Sequence, residues 1–339
     1  MFKFKFSIIL IIHCVLNVLG ISEFGIAYFG FLEGNPGGFL HNQTNQTNKN
    51  LVSTFSVPFN STKTENYEKL QSAINWLGTI GGGILYIYPG TYTISNQIII
   101  NSISIHITSL SEKCSLKLEP GSAALAGFSL ENPETSTSTS VICIINTSSI
   151  RISKIRIIGT IYDIKNTLPY NGISISNSSN IVIETSDIIF CRLWAITLNT
   201  TSGIIIRDNY IDQNSNAIKI ENSDHIVLQI NTIMNTTGNE NEGRVYLHHV
   251  NMISITHNMF HGKYFYMIIL SSVSYCNITD NLYYENPQFI HLINDCFNVV
   301  IHNNRYISEN GSGSSYDYSL GIINRIPFYN VVVFIFFLC

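Results

Sequence analysis

Along the second half of the chain, apolar and polar positions repeat one phrase: apolar, any, apolar, any two, Asn, any, apolar. It reads Ile204, Ile206, Asn209, Ile211, then Ile226, Leu228, Asn231, Ile233, then Ile253, Ile255, Asn258, Phe260. Cys276, Ile278, Asn281, Tyr283 and Val299, Ile301, Asn304, Tyr306 complete the series, and the asparagines recur at steps of 22, 27, 23 and 23 residues. Alternation on either side of the Asn predicts two short strands around a turn. Asn tolerates a left-handed backbone and bonds locally, and identical turns stacked one above another let their amides bond along the axis. A repeat of this length is the mark of a solenoid. The pattern therefore predicts an all-β chain coiled as a single-stranded parallel β-helix, right-handed by the usual sense of parallel crossovers.

Each repeat carries a further strand before the Asn phrase: residues 172–176, 195–199, 217–221, 244–248, 267–271 and 289–293. Their Ile, Val and Leu pairs are expected to point inward, so the alternate residues point out. One outward row is then Ser174, Thr197, Lys219, Tyr246, Ile269, His291, and the next is Ser176, Asn199, Glu221, His248, Ser271, Ile293. Parallel strands stack at about 4.8 Å, which would gather Lys219, Glu221, Arg244, Tyr246 and His248 into one outward patch, with His291 further along. The patch combines an acid or base, two cations suited to an anionic substrate and an aromatic ring suited to a sugar. The plainer account is surface decoration, since Lys219 and Glu221 can pair and an exposed strand needs polar residues.

Upstream, Tyr67, Leu70, Ile74 and Leu77 share one face at helical spacing, and Gly81, Gly82 and Gly83 stop the run. The spacing predicts a helix over about 65–78 that caps the first turn, where a solenoid otherwise exposes strand edges and an apolar cross-section. Residues 67–92, from this helix through the glycines to a strand ending in Pro89-Gly90-Thr91-Tyr92, resemble the opening of the pectate-lyase (pectin-lyase-like) superfamily. With the Asn-bearing turns, the resemblance covers roughly residues 66–306. It implies a right-handed parallel β-helix and a polysaccharide partner held on the face of the patch. It specifies no activity, because the fold hosts lyases, hydrolases, epimerases, phage fibres and adhesins.

The same resemblance leaves the chemistry unassigned. Where polygalacturonases have three aspartates, a Gly-His-Gly and an Arg-x-Lys, this chain offers Asn214-Ser215-Asn216 and Arg244-x-Tyr246, with His261-Gly262 in a turn. Pectate lyases hold Ca²⁺ with several carboxylates, and the patch supplies only Glu221, so no cofactor or metal ligand set is expected and Ca²⁺ finds no support. Lys219 or Arg244 would be the base of a lyase, Glu221 and His248 an acid/base pair, and Tyr246 and His291 substrate contacts. Glycoside hydrolysis needs two acids at a defined separation, and only Glu221 is placed for it. The remaining acids, Asp187, Asp208, Asp212 and Asp280, fall on other faces, and His249, His257, His261 and His302 are scattered. The competing class is a non-catalytic adhesin or coat protein that displays the coil as a surface.

The ends set the expected address. Lys3 and Lys5 precede an apolar run from Ser7 to Leu19 that is too short to span a bilayer, which predicts a secretory leader over residues 1–20. Nine Asn-x-Ser/Thr triplets, at Asn42, Asn45, Asn60, Asn146, Asn177, Asn199, Asn235, Asn277 and Asn310, accord with that route. Asn277 sits within a strand, so a glycan fits there only if the side chain faces out. Residues 21–63 read as a glycosylated lead-in of low order, 64–308 as the β-helix, and 309–339 as a tail. In that tail, small residues 311–315 and the apolar run 331–339 match a lipid-anchor signal with Ser312 or Ser314 as acceptor, and equally a final buried strand. Two insertions, 131–140 and 235–243, read as surface loops.

Composition narrows the partners. Only 12% of the 339 residues are charged, and 18 Lys and Arg stand against 22 Asp and Glu, a net charge of -4 that becomes -6 without Lys3 and Lys5. A nucleic-acid partner would need a basic face that is lacking. Seven cysteines include no C-x-x-C or Cys/His metal spacing, and Cys276 falls on an inward slot as filler. The expectation is a secreted or surface-attached monomer whose partner is a polysaccharide, with the membrane involved only through the tail.

Overall fold

The computed structural model describes residues 52–55, 62–109, 114–118, 139–159, 170–234, 236, 244–262, 266–284, 290–307, 315–318, 321–323 and 331–332. The leader, most of the lead-in, both insertions apart from a few residues, the sequons at Asn42, Asn45, Asn60, Asn235 and Asn310, and the acceptor serines of the tail lie outside the described residues.

The repeat folds as the expected parallel β-helix. Tyr170–Glu184 pairs with Trp194–Arg207, which pairs with Asn216–Gln229 and then Val245–Thr256, all parallel and in register. These long strands turn a corner without losing their pairing. Thr200, Asn222 and His249 on one side of the corner, and Gly203, His225 and Met252 on the other, take left-handed backbones at φ between 48° and 67°. In the next turn the pairing passes to two shorter strands, Ile268–Ser271 before the corner and Ser274–Thr279 after it. A second sheet of short strands, among them Asp187–Ile189, Tyr210–Asp212, Thr232–Met234, Met259–His261 and Leu282–Tyr284, adds one strand per turn.

Inward positions of the phrase form the core. Ile204, Ile206 and Ile211 are fully buried, as are Phe260 and Tyr283, whose rings stack at 5.1 Å between centroids and 7° between planes. Each such side chain contributes about 1.5–3 kcal/mol by leaving water. Cys276 fills its inward slot and, like buried Cys191 and Cys296 and the half-buried Cys143, is a free thiol.

The amide ladder forms as the spacing predicts, with one correction. Asn209 donates to Asn231 at 3.0 Å, Asn231 to Asn258 at 3.0 Å, Asn258 to Asn281 at 3.0 Å and Asn281 to Asn304 at 2.9 Å. The left-handed residue is not the Asn but the one before it: Asp208, Ile230, His257, Asp280 and Asn303, at φ 53° to 57°. The sharp reversal falls one position early, which turns the Asn side chain into the corner where its neighbours stack. Ser186 extends the ladder, accepting from Ile155 N at 3.3 Å while Asn209 Oδ1 accepts from Ser186 N at 3.0 Å. Ile181, Ile183, Ser186 and Ile188 are the same phrase with Ser in place of Asn.

The capping helix spans Lys63–Thr79. Thr62 and Glu65 form a reciprocal capping box, Leu70, Ile74 and Leu77 are buried, and Tyr67 packs partly buried against the same core. Parallel pairing begins earlier than the expected border at residue 64, since Val52–Phe55 pairs with Gly83–Ile87. At the far end three short strands run antiparallel to the last turns: Ser315–Tyr318 on Asn304–Ile307, Gly321–Ile323 on Phe297–His302, and Val331–Val332 on Ile290–Ile293.

Candidate functional site

The two outward rows are in the expected register. Thr197 pairs with Lys219, Lys219 with Tyr246, Tyr246 with Ile269 and Ile269 with His291. In the second row Asn199 pairs with Glu221, Glu221 with His248, and His248 with Ser271. Lys219, Glu221, Tyr246, His248 and His291 are all partly exposed.

Their contacts knit the face together. Lys219 Nζ lies 3.1 Å from Glu221 Oε1 and 6.0 Å from the Tyr246 ring centroid, close enough for a cation–π attraction. The Tyr246 and His248 rings stack at 6.3 Å and 22°. His248 Nδ1 is 3.2 Å from Ser271 Oγ, and its ring meets His249 edge-on at 4.0 Å. Burial and the neighbouring His249 charge hold the His248 imidazole below its usual range, with Glu221 pulling the other way. Burial likewise lowers His291, which stacks on Tyr266 at 4.4 Å and 28°. Tyr266 precedes the strand and breaks the alternation, so periodicity does not reveal it.

Arg244 does not join this patch. It is 1% exposed, and its guanidinium donates to the carbonyl of His261 and lies against Gly262. The alternation that would place it outward starts only at Val245. Arg244 itself sits in a bulge whose carbonyl accepts from both Ala217 N and Ile218 N, at 3.2 and 2.9 Å, so the strand's phase does not reach it. One of the two cations expected for an anionic substrate is thereby withdrawn from the face.

The other charges belong to other faces. Glu184, buried, is held by Arg207 Nε at 2.8 Å and by Arg151, and Asp187, also buried, by Arg156 at 2.9 Å. Tyr210 donates its hydroxyl to Asp212 at 3.0 Å. Glu221 is thus the one carboxylate in the two outward rows. Among the described residues no group of three His, Cys, Asp or Glu side chains is placed to hold a metal ion, and no helix is long and apolar enough to cross a membrane. The four described sequon asparagines, Asn146, Asn177, Asn199 and Asn277, are all exposed, and Asn277 faces outward from its strand.

No family model matches the chain, and no curated protein matches it by sequence. Solved structures match it in fold. A cysteine-to-alanine mutant of DFA-IIIase from Arthrobacter chlorophenolicus A6, in complex with DFA-III, superposes with a TM-score of 0.56 at 13% identity, over 74% of this chain and 66% of that one. An alginate lyase from Paenibacillus sp. FPU-7 gives a TM-score of 0.48 at 13% identity, over 65% of this chain and 74% of that one. The match spans just under two thirds of DFA-IIIase, and at this identity it establishes the parallel β-helix fold alone.

Proposed function

We propose that the protein is a secreted or surface-attached β-helix glycoprotein of the pectin-lyase-like kind that acts on a polysaccharide laid along the face of Lys219, Glu221, Tyr246, His248 and His291. The observation that carries this reading is the register of those side chains: Lys219 and Glu221 pair with Tyr246 and His248 on adjacent strands about 4.8 Å apart, and His291 stands one strand past the buried Ile269 and Ser271. Tyr246 presents an aromatic ring to a sugar, and His291 on its Tyr266 stack extends the face. Glu221 and His248 are the acid/base pair, and Lys219 shields charge beside them. Arg244 supports the turn from beneath. A fold neighbour solved with DFA-III bound accords with a carbohydrate partner.

A second reading, retention of polysaccharide without turnover, is favoured by one observation: the rows hold a single carboxylate, where glycoside hydrolysis uses two. Incubating the full chain with uronate and neutral polysaccharides, with and without Ca²⁺, separates the two. Shortened or unsaturated products that disappear in Glu221→Ala and His248→Ala establish catalysis, and retention without products establishes binding. Neither products nor retention across the panel overturns both readings.

A further inference from the structure

We propose that Ser271, His248 and Glu221 form an acyl-transfer line, and that this face hydrolyses short O-acyl esters carried on a polysaccharide. The three side chains occupy one outward row on three successive strands, Glu221 in register with His248 and His248 with Ser271. A serine hydroxyl becomes a nucleophile when its proton points at a neutral base which a third group orients, whatever the fold that brings them together.

The hydrogen bonds around Ser271 Oγ direct its proton. Asn294 Nδ2 donates to Ser271 Oγ at 3.1 Å, and His248 Nδ1 lies 3.2 Å away on the other side. With the oxygen accepting from the amide, the hydroxyl proton is available to His248 Nδ1 when the imidazole is the neutral Nε2–H tautomer. Neutral His248 is the form that can take it, and the nearby Glu221 carboxylate favours the imidazolium once the proton arrives. The chain contains a contrasting pair, which shows that proximity alone does not set this direction. Ser153 Oγ lies 2.9 Å from His106 Nε2, but donates to Thr108 Oγ1 at 2.9 Å, so its proton is spent elsewhere.

The surroundings define the substrate. Ser271 is buried at 3% exposure, with Ile269, also buried, two residues before it along the strand and Ile293 in register beside it, so only a small, apolar acyl portion fits against it. His248 is partly exposed and Asn294 is exposed, so the hydroxyl lies between two groups at the surface. In the first step Ser271 Oγ bonds to the ester carbonyl carbon and its proton passes to His248 Nδ1. The ester C–O bond then breaks and His248 returns the proton to the departing sugar oxygen. Water, deprotonated by His248, attacks the acyl-serine, releases the carboxylic acid and restores Ser271. Assigning the ester to a glycan rests on the polysaccharide reading above, whereas the acyl chemistry does not.

The test treats the full chain with a fluorophosphonate and maps the adduct by peptide mass, alongside turnover of p-nitrophenyl acetate and acetate release from acetylated xylan. The expected result is an adduct at Ser271, with p-nitrophenyl acetate turnover falling at least about a hundredfold in Ser271→Ala and His248→Ala. Ser271→Cys, which keeps shape and a nucleophile, guards against loss through misfolding. Glu221 acts here as a positioning residue. Of the charged groups facing His248, namely Glu221, Lys219 and His249, its replacement by Gln shifts the acid limb of the pH profile to lower pH. No adduct at Ser271 in a folded protein, or an adduct only elsewhere, overturns the proposal. An adduct and ester turnover with no acetate from any acetylated polysaccharide overturns its glycan part alone.

Discussion

Asn231 Oδ1 accepts from both the backbone N–H and the side-chain amide of Asn209, at 3.1 and 3.0 Å, while Asn231 passes its own amide to Asn258 at 3.0 Å. Each inner member of the ladder thus serves the turn above and the turn below. Replacing a middle member strands several buried partners at once. Asn258→Ala leaves the carbonyl of Leu228, the N–H and amide of Asn231 and the carboxamide oxygen of Asn281 each short of a bond. The expected loss is about 3 kcal/mol or more, because each buried polar group left unpaired costs about 1–3 kcal/mol. Urea denaturation measures it, and a loss below about 0.5 kcal/mol would mean the amides merely fill space.

Ile230 holds φ +57° at an exposed corner where the equivalent residues are Asp208, His257, Asp280 and Asn303. A β-branched residue in the left-handed region is strained by about 1–2 kcal/mol. Ile230→Asp is expected to raise stability by about 1 kcal/mol, read as a higher denaturation midpoint with an unchanged slope.

Gly262 sits at φ +134°, and a Cβ there would lie 2.1 Å from a guanidinium nitrogen of Arg244. Both the backbone and the packed arginine resist a side chain. Gly262→Ala is expected to cost about 2 kcal/mol or more in thermal or chemical unfolding. The loss should shrink in the Arg244→Met background, where the flexible thioether can move aside.

Acid should weaken the fold in two stages. Burial, then the Arg151 charge, pushes His106 down to about 4 from its free value of 6.5, against the pull of Glu184. A group whose folded value is depressed lends stability above its unfolded value and loses it as pH falls through the folded one, so this contribution declines between pH 6.5 and about 4. Glu184 adds a later stage. Burial would raise its carboxyl, but Arg207 and Arg151 outweigh it and leave it below 4.5, so its contribution disappears only on further acidification. His106→Asn should flatten the unfolding midpoint between pH 6.5 and 4 while leaving the drop below it. An unchanged slope in that window would rule out His106 as the source.

Where a residue repeats, its place can be read from the chain; where it interrupts the repeat, it cannot. The Asn positions, the inward Ile columns and the outward order of Lys219, Tyr246 and His291 follow from alternation and spacing, because period-two geometry admits no other facing. Arg244 escapes that logic, since a bulge one residue before the strand resets the phase. Ser186 escapes because a hydroxyl does the work of an amide. The Glu184 clamp draws Arg151 and Arg207 from the two flanking turns, and nothing in a linear spacing announces such a crossing. Ser271 was visible in its row, but its bond to Asn294 depends on a corner residue whose side-chain direction only coordinates reveal.

The antiparallel strands after residue 314 alter what the tail can do. They occupy the backbone groups that another turn of coil would use, so they act as the stop that keeps the rod from growing by strand addition. Removing all three would open the last turn as a sticky edge. With these strands in place, the rim of the coil is covered by the chain's own backbone.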